Sequence, residues 1–327
     1  MKKRIEYIDI LRGICIVYMI AGHIDFKCIE FDHYIHAFHM PIFFIVSGLF
    51  YKDNTKIDYI VKLIKKLIIP YFIWTLIFLI IDNLTFIGTH TGFKNGLSII
   101  LTTNNENIPI AGALWFLTAF FISNVIYYFI SKISVETIKT ILCFIIMLIG
   151  VYLYRITNIN LWWSLNSALV GVGLLELGYQ FKKYNLLEKT IIKSNILLIL
   201  MIIINTIVIM LTGYVNMRTN TYPIIILFIA NLLLSLIVYL NISKRLEIIN
   251  IVSKPLKLLG KESIIPLCLN QVVILLYTTV IEKIILHGNY NKYIIIIRLF
   301  ILLLSLITVF FLTKLMSNTK LKKLFGK

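Results

Sequence analysis

The stretch from Asp9 to His23 reads DILRGICIVYMIAGH, an apolar run with an arginine near one end and a histidine at the other. A bilayer crossing takes about 20 predominantly apolar residues as a helix, and residues 6–24 supply one. Working outward from it, the same texture recurs. Apolar runs at 6–24, 36–51, 67–87, 113–130, 138–155, 163–181, 194–213, 222–241, 263–285 and 293–315 are joined by short polar connections. The expectation is an all-α, polytopic membrane bundle of about ten transmembrane helices, forming a single integral membrane domain over 1–327. Composition agrees. Of 327 residues 59% are hydrophobic and 14% charged, and the mean hydropathy is +0.91. A water-soluble domain of that make-up would be unable to cover its apolar surface. The four cysteines are scattered, without a CxxC pair, which argues against a disulfide framework or a zinc site.

The net charge of +17 reads as topology. On the ten-span reading, one side of the membrane receives only Lys27, Lys94, Arg155, Arg218, Lys283 and Lys292. Arg12 and Arg298 fall inside spans, and all other Lys and Arg face the opposite side. Because cytoplasmic connections carry the basic excess, both termini are expected in the cytoplasm, and no nucleic-acid partner is needed to explain the charge. The connection 88–112 is the longest on the outer side and is expected to form a lid or re-entrant element.

Ionisable side chains within spans are expensive, so they are the first functional candidates. Arg12 and His23 are 11 positions apart, about 20° from three full helical turns, so they share a face about 16 Å apart along the axis. Asp9, one turn before Arg12, is placed to pair with it. Glu176 lies in an apolar run and is expected to neutralise a cation such as Arg298. Downstream, His36-Ala37-Phe38-His39-Met40-Pro41 precedes Ile42-Phe43-Phe44-Ile45-Val46-Ser47-Gly48, whose Ser-Gly pair allows close backbone approach. His33, His36, His90 and His287 read as solvated residues of outer loops or helix ends, and the spacing of His33, His36 and His39 lacks an acidic partner pattern for a metal site.

These segments resemble the acyltransferase-3 family of integral membrane O-acyltransferases, which modify cell-surface carbohydrates. The resemblance rests on Asp9-Ile10-Leu11-Arg12-Gly13 with His23 at the Arg-ten-residues-His spacing, and on Phe38-His39-Met40-Pro41-Ile42-Phe43-Phe44-Ile45-Val46-Ser47-Gly48. Weaker matches are Lys65-Lys66-Leu67-Ile68-Ile69-Pro70-Tyr71, Leu114-Trp115-Phe116-Leu117 and Leu177-Gly178-Tyr179. The sequence departs from the family in having Lys62, Lys65 and Lys66 where arginines are frequent. It also has Asn270-Gln271 where a histidine often follows Gly260-Lys261-Glu262-Ser263.

The resemblance implies transfer of an acyl group, expected to be acetyl, from cytosolic acetyl-CoA to a hydroxyl of a surface glycan or lipid-linked saccharide, in the plasma membrane and without a metal. On that reading His23 is the expected base, with His39 the second candidate, because imidazole accepts protons near neutral pH. Lys62, Lys65 and Lys66 would attract the phosphates of the donor. Arg12, Ser47 and Trp115 are candidate donors to the developing oxyanion. Two other readings stay open: a transporter or flippase using Arg12, His23 and Glu176 to line a solute path, and a non-catalytic accessory of polysaccharide export.

Overall fold

The computed structural model describes residues 5–52, 57–102, 109–285 and 293–326, and it is helical with no strand among them. In chain order the helices are α1 (Glu6–Gly22), α2 (Ile29–His36), α3 (His39–Leu49), α4 (Asp58–Leu63), α5 (Ile69–Leu84), α6 (Phe93–Thr102), α7 (Trp115–Ile130), α8 (Glu136–Thr157), α9 (Leu165–Lys183), α10 (Leu186–Lys189), α11 (Asn195–Thr212), α12 (Ile225–Leu246), α13 (Asn250–Lys261), α14 (Ile264–Thr278) and α15 (Ile294–Ser317).

Six continuous helical stretches are long and apolar enough to cross a membrane: Asp58–Leu84, Glu136–Thr157, Asn195–Thr212, Ile225–Leu246, Ile264–Glu282 and Ile294–Ser317. The other four expected spans are helical but differ in character. α1 has 17 residues, α3 has 11 and α7 has 16. α9 has 19, yet it buries Asn166, Ser167, Glu176 and three glycines. The physical reason is position. α3 packs on α9 and α1, and α7 packs on α9, so these elements face other helices as much as lipid and carry fewer lipid-facing apolar side chains. At 11 residues, about 16 Å, α3 is too short to cross by itself, and six of the ten expected spans are shown. α8, α11 and α15 sit at the periphery and bare isoleucines and leucines along their outer sides.

Two pairs of glycines set the closest approaches. A Cβ on Gly13 of α1 would overlap the Leu256 carbonyl of α13, and one on Gly260 of α13 would overlap the Asp9 carbonyl of α1. Gly48 of α3 and Gly178 of α9 stand in the same reciprocal relation, each against the other helix's backbone at Leu175 and Ile45. Small residues here permit the backbone contact that a lipid-embedded bundle uses in place of a hydrophobic driving force. The close approach expected of Ser47-Gly48 is therefore made, against α9.

Several connections read as loops are helices. Lys62, Lys65 and Lys66 lie on α4 and on a π-helical turn, Ile64–Ile68, that joins α4 to α5. Pro70 explains the turn. Without an N–H it cannot donate four residues back, and Ile69 N–H instead reaches Ile64 O, five residues back. The stretch expected as a lid contains α6, whose Ile100 carbonyl accepts from Tyr71 Oη at 2.6 Å and whose Leu101 carbonyl accepts from Trp163 Nε1 at 2.6 Å. Asn104, Asn105 and Asn107 of that stretch lie outside the described residues. The lysine-rich stretch before α14 forms α13, packed along α1.

Candidate functional site

Two cavities are stacked along α1, α3 and α7. The first, about 300 Å³, opens at the His23 end of α1. The second, about 160 Å³, lies at the Arg12 end. On α3, Met40 lines the first cavity and Phe43 and Ser47 the second. Beside α7 the division falls between Trp115, in the first, and Phe116, Leu117 and Phe120, in the second. Bulky side chains one helical turn thick thus separate the two spaces.

The first cavity collects three histidines. α1 stops at Gly22, and His23 caps it, its Nδ1 2.7 Å from Met19 O. His36, at the end of α2, places Nδ1 3.0 Å from Asp32 O, and His39, opening α3, places Nδ1 2.6 Å from Ile35 O. A carbonyl oxygen only accepts, so in all three rings Nδ1 carries the hydrogen and Nε2 of the neutral imidazole is the basic nitrogen. The cause is local: each histidine sits four residues after the carbonyl it binds. His36 and His39 rings lie 5.7 Å apart, and a Cβ on Gly22 would come within 3.3 Å of His36 Nε2. The expectation that His36 is a solvated loop residue is thus corrected: a short helix folds back and turns it into the cavity. Among the described residues, no group of His, Cys, Asp or Glu has a geometry that would hold a metal ion.

The rest of this cavity is a mixture of aromatic and polar groups: Trp115, Tyr214, Asp32, Asn216 and Arg218. Tyr214, Asn216 and Arg218 belong to the connection between α11 and α12. There Asn216 and Thr221 exchange two backbone hydrogen bonds of 2.9 Å, and Asn216 Oδ1 accepts from Arg218 N at 2.9 Å. Burial pushes the Asp32 carboxyl up and the Arg218 guanidinium down from their ordinary values. In the sequence Arg218 stands out only as an outer-side charge. The signal that marks its turn is the asparagine-rich run Asn216-Met217-Arg218-Thr219-Asn220.

The second cavity is cationic. Arg12, Lys66 and Lys261 line it, with Ser47 and Ser263. Arg12 stands 4.0 Å from Asp9, as its spacing implies, and its guanidinium carbon is 5.7 Å from the centre of the Phe50 ring. Ser47 Oγ donates to Asn124 Oδ1 at 3.4 Å, and Tyr59 Oη donates to the same oxygen at 3.0 Å. Of the three lysines expected to act together, only Lys66 lines this cavity. Lys62 and Lys65 are exposed on α4 and the π turn and do not line it: Lys65, next to Lys66, points to a different side of the helix, and Lys62, on the same side as Lys66, lies a full turn earlier along the axis. Lys261 was not expected; it ends α13 just where that helix meets α14.

Glu176 belongs to neither cavity. Fully buried on α9, it accepts from Tyr127 Oη at 2.7 Å, Thr140 Oγ1 at 2.7 Å and Gln180 Nε2 at 2.5 Å, with Lys139 Nζ at 3.8 Å. Its cationic partner is therefore Lys139 rather than Arg298. Arg298 binds Glu282 at 3.1 Å and approaches Asp25 at 3.6 Å, because α15 packs on α14 and away from α9.

Set beside known proteins, residues 5–315 match the family model described as an acyltransferase domain, the acyltransferase-3 type. Nearly the whole chain is covered, and the chain belongs to this family. No curated protein and no solved structure matches it.

Proposed function

From membership in this acyltransferase family and the two stacked cavities, we propose that the protein moves an acyl group, acetyl in the first instance, from a CoA thioester in the Arg12 cavity to a saccharide hydroxyl in the His23 cavity. The single observation that carries this reading is the difference between the cavities among the described residues: three cations and two hydroxyls with no lining carboxylate on one side of a thin partition, and on the other three histidines with unprotonated Nε2, one cation, Arg218, and the carboxylates of Asp25 and Asp32. The donor carries its phosphates at one end and its thioester at the end of a flexible arm. Arg12, Lys66 and Lys261 suit the phosphate-bearing end electrostatically, and the arm has to reach past Met40, Phe43, Trp115 and Phe116 to meet the acceptor.

The chemistry is proton-balanced. His23 Nε2 takes the proton of the acceptor hydroxyl as its oxygen attacks the thioester carbonyl carbon. The carbon–sulfur bond of the tetrahedral adduct then breaks, and the proton passes to the departing thiolate. With Nδ1–H held by Met19 O, the ring stays in the tautomer this step needs. His39 stands by as the second base; of the residues expected to donate to the oxyanion, Trp115 shares the His23 cavity, whereas Arg12 and Ser47 line the donor cavity and serve the CoA moiety instead. Trp115 and Tyr214 beside Asp32, Asn216 and Arg218 combine aromatic faces with hydroxyl-binding groups, a lining suited to a surface glycan or lipid-linked saccharide. The basic excess supports a plasma-membrane orientation with both termini and the Arg12 cavity on the cytoplasmic side.

The test is reconstitution. Purified protein in vesicles, given CoA carrying a labelled acetyl group and a surface-glycan extract, should release free CoA thiol and label the saccharide together. Label accumulating inside sealed vesicles without thiol release would instead identify a transporter.

A further inference from the structure

A third recess lies away from both cavities, where α11 begins and α12 ends. It is an open cleft of about 380 Å³, lined by Lys193, Lys244 and Arg245, by the single carboxylate of Glu247, and by Ile192 and Ile248. Neither the acyl-donor nor the acceptor reading uses it. Its walls are fixed: Arg245 Nη2 reaches Ile192 O at 3.3 Å, Ser194 O at 3.4 Å and Asn195 Oδ1 at 3.0 Å, and Asn241 Oδ1 accepts from Ile192 N at 2.7 Å. Lys193 and Lys244, both exposed, stand at the edge of a turn that is already tied down.

The surroundings of the cleft are apolar and bare. Ile248 is 85% exposed and Ile251, in the first turn of α13, is 84% exposed. Nearby Ile196 is 74% exposed, and the outer side of α11 continues with Leu197, Ile199 and Leu200. Isoleucines this bare beside lysines would be costly in water, but they match the boundary between headgroups and acyl chains, where a cation meets phosphate and an aliphatic side chain meets a lipid tail.

We infer that this cleft is a binding site for an anionic phospholipid, its phosphate held by Lys193, Lys244 and Arg245 and its acyl chains lying along Ile248, Ile251 and the exposed face of α11. Three cations against one carboxylate leave a positive balance, as headgroup pockets between helix ends require. A zwitterionic phospholipid carries the same phosphate but cancels it with its own ammonium group, so the site distinguishes net charge and not merely the presence of lipid. The inference is independent of the acyl-transfer reading.

Delipidated full-length protein in neutral detergent is titrated with phosphatidylglycerol, with phosphatidylcholine of the same acyl chains, and with glycerol phosphate, and bound lipid is read by native mass spectrometry. Phosphatidylglycerol should bind at least about tenfold more tightly than phosphatidylcholine, and the double variant Lys193→Gln/Lys244→Gln should weaken it by about thirtyfold. Lys320→Gln/Lys322→Gln/Lys323→Gln, which removes three cations elsewhere, should leave it unchanged. Equal binding of the two lipids, or an unaltered preference in the double variant, would overturn the site. Displacement of phosphatidylglycerol by equimolar glycerol phosphate would also overturn it, by identifying a site for soluble phosphate rather than lipid. The comparison of the two lipids on the unmodified protein decides the matter even if a variant folds poorly.

Discussion

At the scale of single residues, the arrangement separates groups that line the two cavities from groups that hold the bundle. His23 lines its cavity with a fixed tautomer and shares that space with His36 and His39. His23→Ala should lower acyl transfer by about 10²–10⁴-fold, the usual contribution of a positioned base, while membrane abundance stays near normal. Thiol release from acetyl-CoA, normalised to folded protein, reads this directly; unchanged turnover would remove His23 from the reaction. Arg12 is expected to act through its planar fork, so Arg12→Lys should fail nearly as badly as Arg12→Ala, and full activity in the lysine variant would reduce Arg12 to a general cation. Glu176 is different in kind. Its carboxylate is satisfied on every side by α7, α8 and α9 and touches neither cavity. Glu176→Leu should destabilise the protein by about 3–5 kcal/mol by leaving Lys139 buried without a counter-charge, and adding Lys139→Met should recover much of that loss. Thermal unfolding in detergent measures it, and turnover per folded molecule should not change.

At the scale of elements, the bundle depends on where backbones touch. Gly13 and Gly260 bring α1 against α13, which holds Arg12 on one helix and Lys261 on the other beside the same cavity. Gly13→Val should cost about 1–3 kcal/mol of stability as overpacking parts the two backbones. Because that contact sets the spacing of two cations, the apparent Michaelis constant for acetyl-CoA should rise as well. An unchanged constant in the folded variant would uncouple the contact from donor binding. Legibility in the sequence follows the same division. Arg12, His23, His39 and Ser47-Gly48 were readable because helical spacing and intramembrane cost act over a few residues of one chain segment. Arg218, His36 and Lys261 were not, since each enters a cavity through a short helix or turn whose placement depends on distant packing. α13 falls between the apolar runs 222–241 and 263–285, where its lysines suggest solvent, although Ser253, Leu259 and Gly260 carry a buried face.

For the whole molecule, function as proposed turns on sidedness. The two cavities lie at opposite ends of α1, so the orientation of the chain decides which cavity meets the cytosolic donor. The excess of lysines at the Arg12 end argues for that end being inside. Three of the native cysteines, Cys15, Cys143 and Cys268, are buried, and Cys28 is half-buried near the His23 end, so a Cys28→Ser background removes the main competing thiol. In that background Lys94→Cys, exposed on α6, should react with a membrane-impermeant maleimide in intact cells. Lys62→Cys, exposed on α4, should react only after permeabilisation. Each substitution removes one lysine, and the large surplus of basic residues on the α4 side makes inversion by a single loss unexpected. The reverse pattern would put Arg12, Lys66 and Lys261 on the outer face, where CoA is not made. It would then no longer be tenable to treat the cationic cavity as the donor site, whereas the histidine cavity and the lipid cleft would keep their chemistry. Labelling in both states at both positions would show that the chain inserts in two orientations, and acyl transfer from the cytosolic side would then be limited to the fraction with Lys62→Cys protected in intact cells.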